Sequence, residues 1–168
     1  MKKTIVPALL LLTPFLAVLL AAPAAFAAPS GNVDKPKVTA ESVYNEGVKA
    51  MEKGDFAAAA GKFKEAVKLK ADFAEAHNNL AFSLRKQGKQ NFAAALEHYD
   101  KALELNPKLA QAYHYRGVLH VLQGNEAAAK ADHAKLVELD RELADELMKV
   151  IASKEEPAGY KGGAKSRS

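Results

Sequence analysis

The stretch GKQNFAAALEHYDKALELNP, residues 88–107, decides the architecture. A glycine that punctuates a turn is followed by small Ala95, aromatic Tyr99 and small Ala102, and the stretch closes on Asn106-Pro107. That pair reads as a helix cap with proline in the first turn, where its missing N–H costs nothing. The same order recurs on both sides. Gly54 returns as Gly88 and Gly124, and Gly47 returns as Ala81 and Gly117, at steps of 34 and then 36 residues. Downstream of the turn the steps reverse to 36 and then 34, in Ala59, Ala95, Ala129; in Phe63, Tyr99, His133; and in Ala66, Ala102, Leu136. One insertion of two residues within Lys89-Gln90-Asn91 accounts for both patterns, so the underlying period is 34. Such periodicity is the mark of a repeat architecture.

Each unit reads as two helices. Phe56, Ala59, Ala60, Phe63, Ala66 and Val67 fall at the spacing of one buried helical face, with Lys62, Lys64, Glu65 and Lys68 on the other side. Asp55 and Asn125 stand where a side-chain oxygen would cap the second helix of a unit. Asp72 with Glu75 has the form of a capping box for the next first helix. Small residues at Gly47, Ala81 and Gly117, facing Ala59, Ala95 and Ala129, let paired helices approach closely. After the third unit, Arg141 to Ser153 carries an apolar stripe of Leu143, Leu147, Val150 and Ile151 opposite Glu142, Asp145, Glu146 and Lys149. A stacked array needs such an element to cover its last apolar face.

With Gly88 to Pro107 and Tyr113 to Gly124 quoted, the chain resembles the tetratricopeptide repeat (TPR) family, whose unit has 34 residues and this order of small and aromatic positions. The resemblance implies an all-α fold: an α-solenoid of three helix hairpins at 40–73, 74–109 and 110–143, followed by a capping helix at 144–153. The chain departs from the pattern at Ala71 and Arg141, where the terminal proline is replaced, and at Glu126 and His133, where an aromatic is replaced.

The resemblance also implies that first helices line a concave surface for a protein or peptide partner. The register then assigns to that surface Tyr44, Val48 and Met51 from the first unit. It assigns Asn78, Asn79, Phe82 and Arg85 from the second, and Gln111, His114, Tyr115, Val118 and Val121 from the third. Aromatics mixed with amides suit an extended peptide or a partner helix. The alternative for each residue is stacking between repeats. Chaperone adaptors of the family clamp a terminal carboxylate with basic residues and two asparagines. At the matching places stand Tyr44, Val48, Asn79, Gln111 and Tyr115, of which only Asn79 agrees, so that ligand is not expected.

The ends carry other signals. Met1-Lys2-Lys3, an apolar run from Ile5 to Leu20 and Ala25-Phe26-Ala27 form a signal peptide, 1–27, with cleavage expected after Ala27. A periplasmic or secreted protein is implied, without stable membrane insertion after cleavage, because no later stretch approaches 18 apolar residues. Residues 28–39 read as a linker, and 154–168, with Gly159, Gly162 and Gly163, as a disordered tail. Without the leader, 22 basic residues face 20 acidic ones, a net charge of +2, which argues against a nucleic-acid binder. Zero cysteines exclude a thiolate metal site and a cysteine nucleophile.

No catalytic or nucleotide-binding signature occurs, so neither an enzyme nor a cofactor is expected. His77 and His114 could approach across adjacent first helices, with Glu75 or Glu46 as a further ligand. They furnish the alternative function, binding of a metal or small ligand by the His/Asn/Tyr surface. Self-assembly through an exposed repeat end is a third reading. The favoured expectation is an exported adaptor or scaffold that holds a polypeptide and aids assembly of an envelope complex.

Overall fold

The computed structural model describes residues 37–156. The expected leader, the expected linker as far as residue 36 and the expected tail from residue 157 lie outside the described residues. The rest is helical: α1 Ala40–Glu52, α2 Phe56–Leu69, α3 Ala74–Lys86, α4 Phe92–Leu105, α5 Ala110–Leu122, α6 Glu126–Leu139 and α7 Arg141–Ser153, with a 3-10 turn at Lys89–Asn91 between α3 and α4. No strand is present among the described residues. Each helix packs on the next in the chain, and α5 also touches α3 and α7, so hairpins α1/α2, α3/α4 and α5/α6 stack in order with α7 closing the row.

The turns inside the first and third hairpins follow one design. Gly54 (φ 79°) and Gly124 (φ 76°) adopt left-handed backbone that side chains other than glycine's resist. The next residue closes the preceding helix through its N–H, Asp55 to the Ala50 carbonyl at 3.0 Å and Asn125 to the His120 carbonyl at 2.8 Å. The same residue then caps the following helix. Asp55 accepts from the Ala58 N–H at 2.9 Å, and Asn125 from the Ala128 N–H at 3.2 Å. In the second hairpin the inserted residues form the 3-10 turn, and Asn91 makes no side-chain cap.

Two expected caps are displaced. Helix α3 begins after Phe73 and α5 after Leu109, neither of which caps with a side chain. Both are buried instead, and the Phe73 ring lies 4.9 Å from that of Tyr44. Burying a large ring is worth about 2 kcal/mol, and a polar cap about 1 kcal/mol, so the apolar entry prevails. The Asp72–Glu75 box is therefore not formed. Asn106 ends α4 rather than starting α5, and its Oδ1 accepts from the Lys108 N–H at 3.1 Å.

Helix α7 runs over Arg141–Ser153, the stretch whose apolar stripe marks it as the covering element, so its first turn overlaps the end of the third unit at 143. Asp140 caps it by accepting from the Leu143 N–H at 3.1 Å, and Ala144, Leu147, Val150 and Ile151 are buried. Leu147 does more than cover an end. A Cβ on Gly117 would lie 2.5 Å from Leu147 Cδ2, as one on Gly47 would lie 2.7 Å from Phe63 Cε1. His133, which stands in the place of Phe63 and Tyr99, is only half-buried. The aromatic missing from the third unit is thus replaced across α5 by a leucine from α7.

These contacts separate two glycines within helices. Gly47→Ala should cost about 1–3 kcal/mol in urea unfolding, because the Phe63 ring must move. Gly61→Ala, on α2 with nothing within 4 Å of the added Cβ, should gain about 0.5–1 kcal/mol. Equal effects from the two would refute the close approach of α1 and α2.

Candidate functional site

Of the twelve residues assigned to a partner-facing surface, Gln111 alone is half-exposed and the other eleven are buried. The Tyr44 ring lies 5.4 Å from Phe63, and Asn79 Nδ2 donates to the Tyr44 hydroxyl at 2.9 Å, joining α3 to α1. Asn78 Nδ2 donates to Asn79 Oδ1 at 3.0 Å. Phe82 lies 5.0 Å from Tyr115 and 5.9 Å from Phe56, while the Ser83 hydroxyl donates to Met51 Sδ at 4.0 Å. Val48 belongs to the same core as these rings, and Val118 and Val121 to the one around Leu147 and Val150. The first-helix register therefore brings these residues together, chiefly as the layer that ties repeat to repeat. A polar stripe survives inside because the amides pair along Asn78, Asn79 and Tyr44. Asn78 Oδ1 is left without a hydrogen-bond partner among the described residues.

Arg85 is the buried cation of this layer, its side chain 1% exposed. It sits in the last turn of α3, 5.1 Å from the Phe82 ring centroid. Its Nη1 and Nη2 donate to Glu156 Oε2 and Oε1 at 2.8 and 3.3 Å, and Lys86 Nζ donates to the same Oε1 at 3.4 Å. Forked pairing of this kind is the strong geometry for a carboxylate. Residues 154–156, expected to open the disordered tail, are thus placed, and Glu156 reaches back to α3. The turn is made at Lys154, whose left-handed backbone (φ 62°) ends α7 while its ammonium pairs with Glu126. Sequence spacing gave no sign of the Arg85–Glu156 pair, because 71 residues separate its members.

More donors face this place than Glu156 uses. Arg85 Nε and the Tyr99 hydroxyl are both buried, and apart from the approach of the guanidinium to the phenol neither has a well-aligned hydrogen-bond partner among the described residues. Burial pushes the Tyr99 phenol above its usual range, against the pull of the Arg85 charge. Beside them His114 is 1% exposed, and burial drives its pKa down to about 4, opposed by a hydrogen bond to the Leu143 backbone.

The histidines do not form the pair that the alternative, metal-binding reading would need. His77 Nδ1 lies 3.0 Å from His98 Nδ1, and its Nε2 lies 3.2 Å from the Ala71 carbonyl, which makes Nε2 the protonated nitrogen. His114 instead faces α7, with Nδ1 3.8 Å from Glu146. Among the described residues no group of three or more histidines and carboxylates is arranged to hold a metal. From α5, Arg116 forks onto buried Asp132 at 3.1 and 2.5 Å and reaches Asp100 at 2.6 Å, tying α5 to the second helices α6 and α4. No helix among the described residues is long and apolar enough to cross a membrane.

With this geometry in hand, comparison with known proteins is informative. A family model described as TPR repeat matches residues 49–88 and 89–124. Tetratricopeptide repeat protein 36 of Xenopus tropicalis is 37% identical over 109 residues, 62% of this chain and 53% of that protein. Photosystem I assembly protein Ycf3 of Cyanophora paradoxa is 34% identical over 103 residues, 60% of this chain and 58% of that protein. The chain therefore spans little more than half the length of these curated relatives. Among solved structures, the first TPR of Spaghetti (RPAP3) bound to the HSP90 peptide SRMEEVD superposes with a TM-score of 0.62 at 23% identity, over 68% of this chain and 94% of that one. The TPR2B-domain:pHsp70 complex of yeast Sti1 superposes with a TM-score of 0.58 at 23% identity, over 69% and 98%. At that identity the likeness shows a shared fold.

Burial of His114 has a consequence for stability. Its folded pKa lies below the unfolded value of 6.5, so between pH 6.5 and about 4 the unfolded chain binds a proton that the folded chain does not. Stability is unaffected above that window and falls as pH drops through it, by about 3 kcal/mol for His114 alone. His77, His98 and His120, all lowered chiefly by burial, act in the same direction. Urea unfolding followed by circular dichroism at pH 7.5 and 4.5 should show the loss, and His114→Leu should reduce it by at least half.

Proposed function

This chain belongs to the tetratricopeptide repeat family, and on that premise we propose that it is an adaptor or scaffold that binds a peptide or protein along the face built by α1, α3 and α5. The observation that carries the reading is the Arg85 site. A buried, forked cation on the first-helix face holds a carboxylate delivered by an otherwise irregular segment, which is a polypeptide-binding arrangement already realised within the chain. Support comes from relatives with the same repeat: one is described as a photosystem I assembly protein, and one solved neighbour holds an HSP90 peptide. The leader at residues 1–27 supports export to the periplasm or beyond, where the partner would belong to an envelope complex. The role is one of binding rather than catalysis.

Two measurements test this. A photoreactive residue at half-exposed Gln111, in the full chain, should give a discrete adduct with an envelope polypeptide. The same residue at exposed Lys68 on α2 should give none; equal adducts from both places would show that the wrong surface has been chosen. For export, N-terminal sequencing of the protein from the periplasmic fraction should begin at Ala28, and a chain retaining Met1 in the cytosol would remove that part of the proposal.

A further inference from the structure

The end of α3 holds a receptor with an occupant. Arg85 and Lys86 converge on one carboxylate, that of Glu156, which comes from three residues beyond the last helix. Everything on the receptor side is fixed. Arg85 lies within the helix against the Phe82 ring, and Lys86 Nζ stands 5.9 Å from the Phe56 ring centroid. The occupant's side is light. Glu156 belongs to no helix, its neighbour Glu155 is exposed, and its own side chain is 16% exposed. A left-handed residue at Lys154 and the Lys154–Glu126 pair aim it.

The fit is also incomplete. The Arg85 guanidinium and the Tyr99 hydroxyl lie within reach of each other, and beyond that contact neither Arg85 Nε nor the hydroxyl meets a well-aligned hydrogen-bond partner among the described residues. Interior donors are normally satisfied. A forked cation whose Nε and neighbouring phenol keep hydrogen-bonding capacity can hold an acidic residue seated more deeply than Glu156. The place is distinct from the terminal-carboxylate clamp discussed above, whose matching positions here hold Tyr44, Val48, Asn79, Gln111 and Tyr115.

We propose that Arg85 and Lys86 form the binding site for a glutamate or aspartate side chain of the partner polypeptide, and that Glu156 is the chain's own stand-in, which the partner's acid displaces. The proposal deepens the binding role proposed above and rests on it. A tethered carboxylate competes at an effective concentration in the millimolar range. The apparent affinity for an external acid is then reduced by the fraction of molecules in which Glu156 has vacated the site.

The test uses the full chain and a fluorescein-labelled synthetic peptide with the sequence of residues 152–160 of this protein, which carries the Glu156 carboxylate in trans. Fluorescence anisotropy should show the Glu156→Ala protein binding the peptide at least about tenfold tighter than the unaltered protein. A peptide with glutamine in place of Glu156 should lose that binding. Adding Arg85→Gln to Glu156→Ala should abolish it, with helical content checked by circular dichroism. Lys86→Gln, at a half-buried side chain that threatens the fold less, should weaken it by about threefold. Equal affinity of the unaltered and Glu156→Ala proteins, absence of binding to the latter, or undiminished binding of the glutamine peptide would each overturn the proposal. A Gln111 adduct obtained alongside such a failure would remove the stand-in and leave the binding role intact.

Discussion

Close approach of helices at positions without room for a side chain is the constraint on which the rest of this molecule depends. Gly47 lies beneath the Phe63 ring, and Gly117 beneath Leu147. Helices that meet at such points bring their flanking residues into contact as well, which is how ridges of one come to fill grooves of the next. From α1 to α5 the first helices thereby share a layer of rings and amides: Tyr44 with Phe73, Asn79 with Tyr44, Phe82 with Tyr115. The layer that was expected to face a partner is also the layer that holds the repeats in register.

Most of the fold was legible because its signals are local. The period of 34 residues, the turn glycines and the capping Asp55 and Asn125 act over a few residues each, and the structure uses them as their chemistry dictates. Where the sequence misled, two local preferences competed. Asp72-Phe73 and Pro107-Lys108-Leu109 present both a polar residue and a large apolar one near a helix start, and burial of the apolar one set the boundary. Replacement of the third aromatic by His133 was visible, but its compensation by Leu147 was not. That contact depends on where α7 docks rather than on any spacing within the third unit.

The candidate site was legible only by halves. Register placed Arg85 among the buried residues of the first helices, and pattern alone could go no further, since its partner lies 71 residues away in a segment whose composition suggested disorder. His77 illustrates the same limit: its ring meets His98 on α4 rather than His114 on the neighbouring first helix. Side chains at the rim of one helix pair often meet the helix behind rather than the equivalent position ahead, and a repeat diagram that aligns equivalent positions hides this.

The charge on Arg85 is what makes the site selective. A guanidinium withdrawn from water loses several kcal/mol of hydration, and a well-packed apolar side chain of similar size would hold α3 in place without that loss. Its carboxylate partner offsets the loss only while it stays. If Glu156 left and nothing replaced it, a buried cation would remain with only the neutral Tyr99 phenol beside it. Departure of the chain's own acid is therefore favourable only in concert with arrival of another. A neutral or basic guest would leave the cation stranded, so the site discriminates by the cost of being empty as much as by the strength of being filled. That asymmetry lets a single buried arginine choose among polypeptides whose backbones would otherwise lie equally well along the same helices.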